Sequence, residues 1–336
     1  MFEDLKNFVD FLFCQKKYKR IFFFENQFIE QHILSSIPKS YKRKKTLIIS
    51  LYKNININND EIKIIYFNKF FFLTLSFYLL KIPFCYSSTP DLNKSAFVKS
   101  VIPKTKYIYI QHSPLSLQMI YRDGAFNAFN LMQVVNKFQL EDLKEINKNK
   151  NLKIKYFKSR YTFMNSMENK KIPKTEKKKV LIAPTHSTNF YSAKCHLRLN
   201  ESIDKNNYDL IFRPHFMSIK NSKITLEELE NNFKIHNGDL NFSEYDYLIT
   251  DWSGIYIEFA FFKNTKSILI NSSRKVLNDN FKSYSNKIID IEARNILGET
   301  VDIENTESIN QILHNLKNKK QENESIIKNF FEKNFY

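Results

Sequence analysis

Short, continuous apolar runs recur along the chain, each followed by a polar cluster and then by a stretch whose apolar positions repeat at helical spacing. Read as strands, they are RIFFFEN, KTLIISLY, IKIIYF, KYIYIQHS and LMQVVN in the first half, and KKVLIAPT, DLIFRPH, FKIHN, DYLITD and KSILIN in the second. Helices are expected before and between them, and strand–helix alternation of this kind predicts parallel sheets with crossover helices. Several runs are apolar throughout, as strands are when both faces of their sheet are covered. A Lys-dominated stretch from Glu168 to Lys179, with Pro173 inside it, separates the two sets and reads as an exposed linker. The boundary is placed near residue 176, giving an N-terminal domain of residues 1–176 and a C-terminal one of 177–336. The tail from Glu304 to Tyr336 has a helical pattern and is a candidate to pack back across the first domain. There is no internal repeat of solenoid period.

A chain of 336 residues that is 43% hydrophobic has material for two cores of ordinary size. Its 52 Lys and Arg against 35 Asp and Glu, a formal +17, favour a polyanionic partner. The same abundance of Lys, Asn, Ile, Phe and Tyr, with few Gly and Pro, is what an AT-rich genome imposes whatever the function, so charge alone decides nothing. No nucleic-acid-binding signature accompanies it, and nucleic acid is not expected as a partner. Cys14, Cys85 and Cys195 are an odd number without C-x-x-C spacing, so neither a disulfide framework nor a structural zinc site is indicated and a reducing cytoplasm suits the chain. The most apolar stretch, Phe70 to Leu80, is too short for a bilayer span, which needs about 20 residues. The opening MFEDLKNFVD is acidic and amphipathic, unlike a signal peptide. A cytoplasmic protein is expected, with peripheral attachment to the inner face of the membrane a further option.

The four glycines, Gly124, Gly238, Gly254 and Gly298, cannot form a G-x-G-x-x-G fingerprint or a Walker A loop, which argues against nicotinamide dehydrogenases and P-loop kinases. A phosphorylated ligand must then be held by a helix N-terminus, where unpaired N–H groups and the positive end of the dipole attract anions. The strand DYLITD, the turn Trp252-Ser253-Gly254 and the following helix IYIEFAFF supply that arrangement at the carboxyl end of a strand. Ser253 would add a hydroxyl donor and Gly254 a close backbone approach; the alternative is that Asp251 and Ser253 only cap the helix. His112 and His215 each end a strand, one in either half, and histidine is the side chain best able to exchange protons near neutrality. His186 follows Pro184 and Thr185 at another strand end. His32, His196, His236 and His314 show no compact ligand spacing, and the chain has no D-x-D triplet, so neither a metal nor another cofactor is expected. Arg213, Arg274 and Lys275 are cations beside strand ends, placed to neutralise a diphosphate.

The ordered set QHSPLSLQMIYRDGAFNAFN, VLIAPTHSTNFY, IFRPH, YLITDWSGIYIEFAFF and SILINSSRKV, with STPDL at Ser88 to Leu92, resembles the CDP-glycerol glycerophosphotransferases that build teichoic-acid-type polymers. The resemblance spans about residues 86 to 300. It implies a GT-B fold of two Rossmann-like domains with an interdomain cleft and a CDP-alcohol donor held mainly by the C-terminal one. It further implies transfer of glycerol phosphate, or a related polyol phosphate, to a hydroxyl of a glycan or lipid-linked acceptor, with release of CMP. His112 and His215 stand at the family's two histidine motifs and are the expected catalytic pair. Thr185, Arg213, Asp251, Trp252, Ser253, Gly254, Arg274 and Lys275 are the expected donor contacts. The chain departs from the better-known polymerases at His112-Ser113-Pro114, where they carry His-Gly-Thr-Pro, and at Phe216, where they carry Pro. Sugar transfer from a nucleotide sugar in capsule or lipopolysaccharide synthesis is the nearest alternative, and a non-catalytic basic binding module a more distant one. Lipid-linked acceptors make an anionic membrane surface a further partner, with Lys-rich Tyr41 to Lys45 as the candidate contact.

Overall fold

Apolar runs flanked by turn residues become strands when both faces can be covered, and the two richest runs of the first half, RIFFF and TLIIS, are buried at every position. The computed structural model describes residues 2–25, 45–53, 55, 57, 61–94, 96–161, 164, 176–186, 188–236, 238, 240–284 and 286–336. His32, residues 41–44 and residues 168–175 of the expected linker lie outside the described residues. The chain forms two units, residues 1–166 together with Tyr336, and residues 167–335.

In the first unit β1 (Arg20–Phe24), β2 (Thr46–Ser50), β3 (Ile62–Tyr66), β4 (Phe84–Ser87), β5 (Lys106–Tyr109), β6 (Leu131–Val134) and β7 (Lys155–Lys158) form one sheet in the order β3-β2-β1-β4-β5-β6-β7. Every neighbouring pair is parallel. Helices α1 (Phe2–Cys14), α2 (Phe70–Tyr78) and α3 (Lys137–Asn149) belong to this unit. The expected strands are present, and two more appear. β4 is short and carries Cys85, Tyr86 and Ser87, while β7 is an edge strand whose sequence, KYFK, leaves only Phe157 partly covered. An edge strand needs no apolar run, so hydrophobic pattern does not reveal it.

The second unit holds β8 (Lys178–Ile182), β9 (Tyr208–Phe212), β10 (Lys234–Ile235), β11 (Tyr247–Thr250), β12 (Ser267–Asn271) and β13 (Gly298–Asp302), ordered β10-β9-β8-β11-β12-β13 and again all parallel. Its helices are α4 (Cys195–Ser202), α5 (Phe216–Lys220), α6 (Leu226–Glu230), α7 (Ile255–Lys263), α8 (Ile289–Leu297), α9 (Ile309–Asn318) and α10 (Lys320–Asn334). Both sheets reverse their strand order once, between β1 and β4 in the first unit and between β8 and β11 in the second. Such a switch point opens a crevice at the carboxyl ends of the strands, where doubly wound sheets bind ligands.

Two expectations about the chain's course are corrected. Lys178 and Lys179 are not linker but the start of β8, where the Lys179 N–H bonds the Asp246 carboxylate at 2.9 Å. The tail is helical, but it packs on the second unit: Ile309, Leu313 and Leu316 of α9 join that core, and Phe331 of α10 meets Phe261 of α7 edge-on at 5.1 Å. Tyr336 alone goes with the first unit, where its N–H bonds the Val135 carbonyl at 3.2 Å.

Gly298 opens β13 opposite Ser267 of β12. A Cβ there would fall 2.1 Å from Leu269 Cδ1 and 2.4 Å from its Cγ, and Leu269 is fully buried, with little room to retreat. Gly298→Ala is therefore expected to destabilise the second unit by about 1–3 kcal/mol, the usual cost of overpacking. In urea denaturation, adding Leu269→Ala should recover part of that loss, a non-additivity that independent sites would not show.

Candidate functional site

Four neighbouring strands of the second sheet end in the segments that the sequence singles out. Thr185 and His186 follow β8, Arg213 and His215 follow β9, Asp251 to Gly254 follow β11, and Arg274 and Lys275 follow β12. The switch point between β8 and β11 lies in the middle of this row.

Asp251 joins the row together. Its carboxylate is fully buried; Oδ1 accepts the Thr185 N–H at 2.7 Å, and Oδ2 accepts the Thr188 hydroxyl at 2.6 Å and the Ser272 hydroxyl at 3.4 Å. Burial still raises its proton affinity above the ordinary carboxylate value, although the hydrogen bonds from Thr188, Thr185 and the local backbone oppose the rise. The polar groups of Asp251 and the Thr185 N–H are thus engaged within the second unit. The carboxylate faces inward, and the buried Thr185 spends its N–H on it. Nor does Asp251 or Ser253 cap α7: the N-cap is Gly254, at φ −65° and ψ −11°, with no side-chain cap bond. Those dihedrals suit any residue, so the backbone does not require glycine there. The first-turn N–H groups of α7 are consequently without a side-chain cap, with Ser253 and Gly254 half-buried beside them.

Trp252 is buried and donates its indole N–H to the Ser272 carbonyl at 2.9 Å. Two guanidinium groups approach its ring, Arg294 at 4.1 Å and the exposed Arg274 at 5.6 Å from the centroid. Arg294, from α8, also donates to the Asp251 carbonyl at 2.6 Å and the Ile270 carbonyl at 3.2 Å, tying the ends of β11 and β12 to each other. Asn189 and Ser273 exchange two hydrogen bonds, at 2.9 and 2.7 Å, between the loops after β8 and β12.

The structure brings His186 against His215, with ring centroids 4.4 Å apart. His215 caps α5, its Nδ1 accepting the Met217 N–H at 3.1 Å. With Nδ1 acting as acceptor, the proton of the neutral ring sits on Nε2. Burial, His186, Lys275 and Arg213 together push the His215 pKa down to about 3. Burial, Lys275 and Lys223 push that of His186 down to about 4. The His186 Nδ1 is buried without a hydrogen-bond partner, and Lys223 donates to the His186 carbonyl at 2.6 Å. Lys275 itself is held below the ordinary lysine value by burial, against the pull of Asp251 and Asp290. Both imidazoles are thus neutral near pH 7 and Lys275 holds its proton less firmly than in water, and an arriving anion would raise the proton affinity of all three.

His112 belongs to the first unit, in the loop after β5. Side chains of and beside α3 hold that loop: Asn136 donates to the Pro114 carbonyl at 2.8 Å, Gln139 to the Ser113 and Leu115 carbonyls at 3.0 and 2.9 Å, and Asp142 accepts the Leu117 N–H at 2.7 Å. The half-buried imidazole meets the Tyr109 hydroxyl at 3.0 Å through Nδ1 and the Tyr121 hydroxyl at 3.4 Å through Nε2, and Tyr109 donates to Tyr121 at 3.3 Å. Proton counting is satisfied around this ring when Nδ1–H donates to Tyr109, Tyr109 to Tyr121, and Tyr121 to Nε2.

Thr188, Arg294, Lys223 and Ser272 were not singled out by the sequence. Thr188 stands inside VLIAPTHSTNFY, a run already marked, whereas Arg294 lies on a helix remote in sequence and carries no local signal. Among the described residues, no group of three or more His, Cys, Asp or Glu side chains could hold a metal ion.

Two measurements follow from this geometry. Asp251→Ala strands the Thr185 N–H and should cost roughly 1–3 kcal/mol in urea denaturation, while Asp251→Asn, which keeps an acceptor for that N–H, should cost less. The depressed histidines make the unfolded chain the better proton acceptor, so stability from this source is complete above pH 6.5 and declines as pH falls towards 4 and below. His186→Gln combined with His215→Asn, whose Oδ1 can still take the Met217 N–H, should flatten the fall of the unfolding midpoint across that window.

The family model for CDP-Glycerol:Poly(glycerophosphate) glycerophosphotransferase matches residues 153–335, more than half of the chain. No curated protein matches it. Among solved structures it is similar to a putative UDP-N-acetylglucosamine 2-epimerase from Listeria monocytogenes, at 10% identity and TM-score 0.56, covering 92% of this chain and 90% of that one. It is also similar to the S. aureus MnaA–UDP co-structure, at 10% identity and TM-score 0.55 with the same coverages. The UDP-GlcNAc 2-epimerase from Neisseria meningitidis, bound to UDP-GlcNAc, is 11% identical with TM-score 0.51, covering 92% of this chain and 93% of that one. At such identities these likenesses show the fold, which is of the GT-B type, with two doubly wound parallel-sheet units. The match over the second unit and its strand-end motifs goes further: the chain belongs to the CDP-glycerol:poly(glycerophosphate) glycerophosphotransferase family, a family of transferases.

Proposed function

We propose that this protein transfers glycerol phosphate, or a related polyol phosphate, from a CDP-activated donor to a hydroxyl of a cell-surface glycan or lipid-linked acceptor, releasing CMP. The observation that carries this reading is the pair of neutral imidazoles, His186 and His215, in tilted contact at adjacent strand ends among Arg213, Lys223 and Lys275. Cations around a neutral N–H donor suit a diphosphate better than an uncharged ligand. The first-turn N–H groups of α7 and the Ser253 hydroxyl extend the same preference.

An arriving diphosphate inverts the electrostatics of the site. It raises the proton affinity of both imidazoles and of Lys275, so binding takes up protons and prepares His215 to donate from Nε2 to the leaving oxygen. The acceptor oxygen forms a new bond to the phosphorus that bears the alcohol, and the bond from that phosphorus to the bridging oxygen breaks. The acceptor's proton goes to His112, and the bridging oxygen leaves with CMP. In this scheme the acceptor hydroxyl replaces Tyr121 at Nε2 of His112, a contact long enough at 3.4 Å to exchange, while Nδ1–H to Tyr109 keeps the ring oriented. Positioning and charge stabilisation supply most of the rate, because the protein forms no covalent bond.

A thermal-shift comparison of CDP-glycerol, CDP-ribitol, CMP and nucleotide sugars, followed by product analysis, tests the reading. A CDP-alcohol should stabilise the fold and yield a phosphodiester product with free CMP. His112→Ala and His215→Asn should each lower kcat by about 10²-fold or more. Stabilisation by a nucleotide sugar alone, with a phosphorus-free product, would replace polyol-phosphate transfer by sugar transfer, and near-normal turnover would remove the substituted histidine from the mechanism.

A further inference from the structure

A hydrogen-bonding atom shut away from water without a partner is costly, so folded proteins keep such atoms few and scattered. In this chain they gather. Twelve buried side-chain N and O atoms have no hydrogen-bond partner among the described residues, and five of them fall between residues 186 and 218 of the second unit. They are His186 Nδ1, the Tyr191 hydroxyl, His196 Nδ1, Asn200 Oδ1 and the Ser218 hydroxyl.

Contacts link these groups in space as well. His196 stands in the first turn of α4 and Asn200 follows one turn later, so both lie on one face of that helix. The Tyr191 ring meets the His196 ring at 5.7 Å. Ser218, fully buried on α5, eases the burial of the Tyr191 hydroxyl, although the two hydroxyls are not aligned for a direct hydrogen bond. The same α5 is capped by His215, whose ring lies against His186. On the outer side, the charge of the exposed Glu228 on α6 reaches His196, and Asn200 Nδ2 donates to Asn232 Oδ1 at 3.3 Å just beyond that helix. Polar atoms thus run from the imidazole pair at the strand ends to the surface at α6, through a core that is otherwise apolar and includes Leu199 and Phe212.

The chemistry of these groups selects their occupant. Hydroxyls donate and accept, the amide oxygen accepts, and an imidazole Nδ1 does either according to its tautomer. Burial holds Tyr191 and His196 in their neutral forms; the carboxylates that act on them are Asp251 from within and Glu228 from outside. Asp251 is already engaged by Thr185, Thr188 and Ser272, so an ion at the cluster would lack a counter-charge. An apolar molecule would leave all five atoms unpaired. Water, which donates and accepts and typically makes about three hydrogen bonds when buried, suits the whole set.

We propose that a chain of ordered water molecules, anchored by Tyr191, His196, Asn200 and Ser218, connects solvent at α6 with His186 Nδ1 and carries the proton that the imidazole pair takes up when an anion binds. A proton enters from solvent beside Glu228, each water accepts one proton and passes one on, and His186 Nδ1 gains the last; no other bond changes. The pair can then be charged from behind while a bound anion covers it. The water chain stands independently of any ligand, whereas the proton uptake rests on the diphosphate reading given above.

Two experiments separate these parts. A high-resolution crystal structure should show water within hydrogen-bond distance of Tyr191 and Ser218, and Tyr191→Phe, which takes a partner from that water, should lower the melting temperature. A dry cluster, or a melting temperature raised by Tyr191→Phe, would overturn the proposal, since removing an unpaired buried hydroxyl relieves the fold. Stopped-flow mixing with CDP in weak buffer containing an indicator dye then follows proton uptake. Tyr191→Phe and Ser218→Ala, singly or together, should slow that uptake by roughly tenfold or more while CDP still binds. Uptake as fast in the variants as in the wild type would overturn the relay and leave the diphosphate reading in place, whereas CDP that does not bind at all would overturn both.

Discussion

A carboxylate taken fully out of water is tolerated only when its oxygens are met by donors, and the second unit meets that requirement at Asp251 by recruiting two loops. Thr185 and Thr188 come from the loop after β8 and Ser272 from the one after β12, while Asp251 itself ends β11. Satisfying the charge therefore fixes the carboxyl ends of three strands around the switch point. Arg294 completes the frame by bonding the Asp251 carbonyl and covering one face of Trp252. The groups left at the surface of this frame, His186, Lys275, Ser253 and the start of α7, are held in place by it without spending their own polar atoms on it.

The frame also accounts for the electrostatics. The two imidazoles are kept partly dehydrated and close to cations, and Lys275 is dehydrated as well, so each is less ready to hold a proton than it would be in water. Such a site favours an anion that supplies the missing counter-charge. The first unit prepares His112 differently: buried amides and a carboxylate from Asn136, Gln139 and Asp142 fix its loop, and two tyrosines engage both ring nitrogens. One histidine ring is thus held mainly by hydrogen bonds, and the other lies among positive charges.

Much of the fold was legible because central strands of a doubly wound sheet must be apolar on both faces. RIFFF, TLIIS and SILIN announce themselves on that ground, whereas FCYS, KYFK and GETVD do not. β7 and β13 lie at sheet edges, where one flank is open and backbone pairing does not demand an apolar side chain at each position. The candidate site was partly legible for the same topological reason. Residues that end parallel strands must converge at one edge of the sheet, which is why His186, Arg213, His215, Ser253 and Lys275 were marked before their neighbours were known. Burial of the Asp251 carboxylate was not legible, because an Asp at a strand end reads equally well as a cap, a ligand contact or a buried anchor.

What the sequence by itself determined is the set of elements and the end of each strand at which chemistry is placed, since hydrophobic period and turn residues are local properties. It also excluded glycine-rich nucleotide loops, because four glycines cannot build them. Only the tertiary structure decided that His186 meets His215, that Arg294 reaches Trp252 across more than forty intervening residues, and that α1 keeps a second apolar face uncovered. Each of these depends on which side chains are brought together and which are shielded from water. Distance along a chain carries no record of either.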